Sequence, residues 1–126
     1  MTDAWPTEIR VHKDRRGITI AFDDGANYTL SAEYLRVESP SAEVQGHSPA
    51  DRQTVPAKRE VRIQEVIPVG HYAVRLIFDD GHSTGIYTWD TFRTLGGEYE
   101  ERWKRYLQEL ASKNLSRDPA GAQRRH

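Results

Sequence analysis

The sequence predicts an α+β fold: an antiparallel sheet built from two related units, each a hairpin followed by a short helix, with a C-terminal amphipathic helix packed on it. Three observations carry this. Two segments repeat one another around a shared Phe-Asp-Asp-Gly, at residues 22–25 and 78–81. Apolar and polar residues alternate at period two before each tetrapeptide, the pattern of a half-buried strand. Residues 98–113 instead show helical spacing, with Tyr99, Trp103, Tyr106, Leu107 and Leu110 on one face and Glu100, Glu101, Arg102, Lys104 and Arg105 on the other.

The first unit spans residues 17–36 and the second residues 73–93, the second being one residue longer after the shared tetrapeptide. In the first, Ile18, Ile20 and Phe22 alternate with Thr19 and Ala21; in the second, Val74, Leu76 and Phe78 repeat the pattern. Asp-Gly is a hairpin-turn signal, because glycine tolerates positive φ and aspartate bonds its own backbone. The chain then returns as strands over residues 28–30 and 85–87, and Ser31 and Thr88 stand where helix N-caps belong. Residues 8–12 and 61–69 alternate in the same way, the latter with Glu65 as a polar exception, and add flanking strands. Residues 46–59, GHSPADRQTVPAKR, read as a long loop rich in Pro, Gly and charge.

At 126 residues the chain fits one domain, placed at residues 1–112, with a disordered basic tail over residues 113–126. The formal net charge of −1 gives no basic footprint for nucleic acid. No apolar run approaches the ~20 residues that span a bilayer, and the N-terminus lacks a secretory pattern, so the expectation is a cytoplasmic protein with no membrane partner. With no cysteine, thiol catalysis, disulfides and thiolate metal sites are excluded.

The chemistry-bearing motifs are sparse. The Asp pairs of the two tetrapeptides read as turns, since neighbouring residues on a strand point to opposite faces. No nucleophile elbow, phosphate-binding loop or dinucleotide fingerprint is present, which points to no enzyme and no catalytic residues. LRVESPSAEVQGH, residues 35–47, stands out. Ser39 and Ser41 bracket Pro40, which stops the preceding helix, and the serine hydroxyls are expected to bond nearby backbone. Glu43, His47 and His82 form a candidate weak metal site for zinc or iron, although no cofactor is the leading expectation. The aromatics near Tyr87 and Trp89, together with the loop of residues 38–59, are expected to present a recognition surface to an unidentified protein partner.

With LRVESPSAEVQGH, the FDDGH turn at residues 78–82 and GIYTWDTFRTLG at residues 85–96, the chain resembles the small bacterial proteins related to the N-terminal domain of gamma-butyrobetaine hydroxylase, long a domain of unknown function. The resemblance covers roughly residues 6–110. It implies a small α+β unit, and in the hydroxylases a structural zinc held by three cysteines and a histidine. On this sequence the cysteine positions become Ser39, Ser41 and Val44, and the histidine is His82. The histidine is kept and all three thiolates are lost. The resemblance implies no catalytic domain here, because the hydroxylase chemistry belongs to a separate iron- and 2-oxoglutarate-dependent domain. Related domains are also fused to Mrp-type P-loop ATPases, which implies an accessory role near metal-cofactor or iron–sulfur maturation.

Overall fold

Six strands form two separate three-stranded antiparallel sheets in the computed structural model, which describes residues 5–119. The first sheet holds β1 (Pro6–Val11), β2 (Gly17–Phe22) and β3 (Asn27–Ser31), with β2 central. The second holds β4 (Ile63–Val69), β5 (Ala73–Phe78) and β6 (Gly85–Thr88), with β5 central. The two units thus share no single sheet. Each flanking strand completes its own unit instead of bridging the two.

The duplication extends further than the repeated tetrapeptide. Pro6 pairs with Phe22 and Glu8 with Ala21, with a register shift between them; Ile63 pairs with Phe78 and Glu65 with Ile77, with the same shift. Both turns are three-residue hairpin loops closed alike. Phe22 N donates to Ala26 O and Phe78 N to His82 O, with Gly25 at φ 92° and Gly81 at φ 94°. Glycine at the positive-φ end of such a loop avoids the backbone strain that most side chains bring there. Asp24 Oδ1 accepts from Ala26 N at 3.1 Å and Asp80 Oδ1 from His82 N at 3.0 Å.

Each unit ends in a helix capped as expected. Ser31 Oγ accepts from Tyr34 N at the start of α1 (Ala32–Val37), and Thr88 Oγ1 accepts from Thr91 N at the start of α3 (Trp89–Gly97). Between the units lie a four-residue helix, α2 (Ala42–Gln45), and a 3₁₀ turn (Pro49–Asp51). The last helix, α4 (Tyr99–Ser112), follows α3 almost without a break.

The inward faces of both sheets and the two unit helices share one core, containing Ile18, Ile20, Phe22, Leu35, Ile63, Leu76, Phe78, Tyr87 and Phe92. A smaller cluster joins Val37 to Tyr106 and Leu110 of α4. The units exchange ties across this core. Tyr34 Oη donates to Leu95 O at 2.6 Å, and Tyr87 Oη donates to Leu35 O at 2.5 Å. Arg36, in the last turn of α1, pairs with Asp80 in the second turn; Arg93, in α3, pairs with Asp24 in the first turn.

The loop of residues 46–59 is tied down. Glu38, almost wholly buried, is ringed by Arg52 at 3.0 Å, Arg102 at 2.9 Å and Arg105 at 3.6 Å, while Tyr106 Oη donates to Val55 O at 2.6 Å. The Arg52–Glu38 contact is an ion pair lacking an aligned hydrogen bond. Residues 116 and 117, within the expected tail, are docked on the domain. Arg117 forms a two-pronged pair with buried Glu33 at 2.7 and 2.8 Å, and Ala57 N and Arg59 N donate to the carbonyls of Ser116 and Arg117. Residues 120–126 lie outside the described residues.

Candidate functional site

The segment between α1 and α2 folds against the second hairpin through side chains. Pro40 blocks continuation of α1, and Ser41 then caps α2, its hydroxyl accepting from Glu43 N at 3.2 Å. This turn sends Ser39 inward, where it is fully buried. Ser39 Oγ lies 2.9 Å from His82 Nε2 and also accepts from Ser41 N at 3.2 Å. On its far side, His82 Nδ1 lies 2.9 Å from Glu43 Oε1. Ser41 Oγ meets Thr84 Oγ1 at 2.7 Å, and Gln45 Nε2 donates to Ser39 O at 2.7 Å.

With Glu43 ionised, the ring proton sits on Nδ1 and Nε2 accepts the Ser39 hydroxyl proton. Burial, joined by the nearby Arg36 charge, pushes the His82 imidazolium down from its ordinary value of 6.5, while Glu43 and Asp80 oppose this. The ring is therefore neutral at neutral pH. Asp80 anchors the turn that carries His82. Burial raises its carboxyl, but Lys58, the His82 backbone N–H and Arg36 together outweigh that and hold it at about 2.

Duplication shows how this cluster arose on one side only. His82 occupies the position of Ala26 in the first turn, and Gly85, opposite Leu76, occupies that of Tyr28, opposite Ile20. A Cβ at Gly85 would lie 2.6 Å from Ser39 Oγ, so glycine makes the space that the serine fills.

Several of the expected site residues meet and others do not. Ser39, Ser41, Glu43 and His82 converge. His47 is exposed and makes no ion pair with Glu43 or His82, so the expected metal trio is not assembled. Among the described residues no group of three or more His, Cys, Asp or Glu side chains is placed to hold a metal ion. The zinc implied by the family resemblance does not fit the residues present either. Serine hydroxyls and a valine replace the thiolates, and both ring nitrogens of His82 are already engaged within the protein.

The aromatic surface is also corrected. Tyr87 is fully buried and stacks on Phe92 with centroids 5.6 Å apart, while Trp89 is half-buried, its Nε1 donating to His71 O. Pro40 lines a shallow cleft of about 350 Å³ with Glu38, Thr91 and Thr94, and Ser39 does not reach it. Sequence reasoning missed Thr84, Gln45, Lys58 and the exchanged Arg36–Asp80 and Arg93–Asp24 pairs. Aligning the two units on their Asp-Asp-Gly turns and their N-caps was the signal for the exchanged pairs.

These features define a small duplicated α+β domain whose two halves are locked by exchanged ties and, on one side, by a serine–histidine–glutamate chain. The chain belongs to the gamma-butyrobetaine hydroxylase-like, N-terminal family, whose model matches residues 9–93. Two proteins with solution NMR structures are 42% and 41% identical to it, cover 94% of this chain, are themselves covered over 94% and 92%, and superpose with TM-scores of 0.80 and 0.79. A crystal structure of a protein of unknown function from Acidithiobacillus ferrooxidans, assigned to the DUF971 family, is 44% identical over 72% of this chain and 91% of its own, with a TM-score of 0.61. No curated protein matches the chain.

Proposed function

We propose that this chain is a non-enzymatic accessory domain that works through contact with a protein partner. The observation that carries this is the enclosure of Ser39. Its contacts have the connectivity of an activated nucleophile: hydroxyl to Nε2, Nδ1 to carboxylate. A nucleophile must also meet its substrate, and Ser39 is 0% exposed, with its oxygen held by a backbone N–H as well as by the imidazole. The array ties residues 39–45 to the second hairpin in place of metal coordination. The chain then offers surface rather than chemistry to its surroundings. The family resemblance supports placing that contact near metal-cofactor maturation.

A fluorophosphonate probe tests the reading, because it labels serines activated by a histidine base. The expected result is no labelling of Ser39 in the folded protein. Stoichiometric labelling that disappears in Ser39→Ala and in His82→Gln would establish an active nucleophile and end the non-enzymatic reading.

A further inference from the structure

The internal duplication supplies a control for the outward face of each sheet. On the first sheet, the positions pointing away from the core are Glu8, Arg10, Thr19, Ala21 and Thr29. On the second, the same pairing positions hold Glu65, Ile67, Arg75, Ile77 and Ile86. Where the first unit has arginine, alanine and threonine, the second has three isoleucines. Ile67, Ile77 and Ile86 belong to neither core cluster; Ile67 and Ile77 are half-buried, and Ile86 is 42% exposed on the short edge strand β6. A strip of partly exposed β-branched residues on one face of an edge-bearing sheet is what native proteins avoid unless the face is covered.

Charge on the two faces differs in a way that names the cover. On the first sheet the charges satisfy one another: Arg10 Nε pairs with Glu8 Oε2 at 3.2 Å. On the second, Glu65 keeps its place but its neighbour along the strand is Ile67, and the cation has moved to Arg75 on the central strand. Among the described residues neither Glu65 nor Arg75 forms an ion pair; Arg75 Nη1 donates only to Ser83 O, at 3.1 Å. A face carrying one unpaired acid and one unpaired base beside an apolar strip is complementary to itself. A twofold axis through the strip sets Arg75 of each copy against Glu65 of the other.

We propose that the outward face of the second sheet is a self-association surface, covered by a second copy of this chain. Isoleucine packs on isoleucine about the axis, flanked by two reciprocal Arg75–Glu65 pairs. A three-stranded face is smaller than the ~800 Å² per partner of a standard stable interface, so the dimer is weak and concentration-dependent. This inference stands apart from the non-enzymatic reading, since an enzyme could associate in the same way.

Sedimentation velocity across a wide concentration series tests it, with Ile86→Lys, Arg75→Glu, Glu65→Arg and the Arg75→Glu/Glu65→Arg double variant. All the changed side chains lie outside the core clusters, and matching thermal melts confirm that each variant folds. The expected result is a wild-type monomer–dimer equilibrium that is lost in Ile86→Lys, weakened about tenfold or more in each single charge reversal, and restored in the double variant. Three results would overturn it: a wild-type chain monomeric at every concentration, leaving the face to a different partner; a dimer indifferent to Ile86→Lys; or single reversals that weaken association without recovery in the double variant.

Discussion

Ser39→Ala isolates the hydroxyl at the centre of the junction. The substitution removes one oxygen and no core methylene, so the loss is one of hydrogen bonding rather than packing. The Ser39 hydroxyl serves two groups: it donates to His82 Nε2 across 2.9 Å and accepts from Ser41 N across 3.2 Å. Leaving a buried polar group without its partner costs about 1–3 kcal/mol. The imidazole nitrogen is the more severe loss, since the His82 side chain is 2% exposed. The backbone contact is longer and lies at the low end. Together they predict a loss of about 3 kcal/mol, or a Tm lowered by about 10 °C in a domain of this size. Glu43→Ala is the control. Its side chain is 63% exposed, and a pair with one solvated partner contributes at most about 1 kcal/mol. Urea unfolding at neutral pH, with the slope held common across variants, reads both. If Ser39→Ala lies within about 0.5 kcal/mol of the wild type, or if it and Glu43→Ala cost the same, the buried hydroxyl is not what holds the junction.

The remaining predictions concern protons, exchanged ions and the turns. Because the folded His82 value is lowered, the unfolded chain takes up the proton first as pH falls below 6.5. Stability is thus fully present above that value and declines as pH drops toward the folded value; urea midpoints measured over this window should fall, and the decline should be absent in His82→Gln. Asp80 has a folded value of about 2 against 3.8 when free, so its contribution is present above 3.8 and fades between the two. Asp80→Asn should cost about 2 kcal/mol, because its side chain is only 15% exposed and faces both Arg36 and Lys58. Asp24→Asn should cost distinctly less, its side chain being 39% exposed with one arginine partner; equal effects in parallel melts would contradict this ranking. Gly81→Val should destabilise by more than about 1 kcal/mol, since φ at that position is 94° and β-branched residues avoid that region. An unchanged melt would mean that the turn relaxes to another conformation.

How much of this was legible in the sequence depended on the range of the interaction. The hairpins, the Ser31 and Thr88 caps and α4 are fixed by residues a few positions apart, and they form as the local pattern dictates. The division into two sheets was not legible, because alternation marks a strand but not which edge it joins. Both α2 and the 3₁₀ turn are too short to show a period. The docking of Arg117 on Glu33 spans 84 positions and has no local signature. Within the site, the pairing of Glu43 with His82 was readable as a carboxylate and an imidazole, and the nearness of Ser39 to His82 came from the family resemblance, which sets both at zinc-ligand positions. The exclusion of His47 was not, because a rotation of the chain at Gly46, with φ 70°, decides it.

Tyr87 shows where a sharper use of the same sequence would have succeeded. Taken alone, Gly85-Ile86-Tyr87 is too short for alternation to assign faces. Set against the first unit with Thr88 on Ser31, Tyr87 falls on Leu30 and Ile86 on Thr29. Leu30 sits among the core residues of its own unit, so Tyr87 belongs inside and Ile86 outside, as the structure has them. Alignment on the Asp-Asp-Gly turns sets His82 on Ala26, and alignment on the helix caps sets Gly85 on Tyr28, the two replacements that open the junction to Ser39. A duplicated fold holds its own reference: positions where the halves agree carry the architecture, and positions where they part carry whatever is particular to one half. Here the departures gather on the second unit, inside as the Ser39–His82–Glu43 chain and outside as the isoleucine face. The inner set consumes its polar groups within the molecule. The outer set leaves Glu65 and Arg75 without ion-pair partners among the described residues, and that is the asymmetry a second copy would resolve.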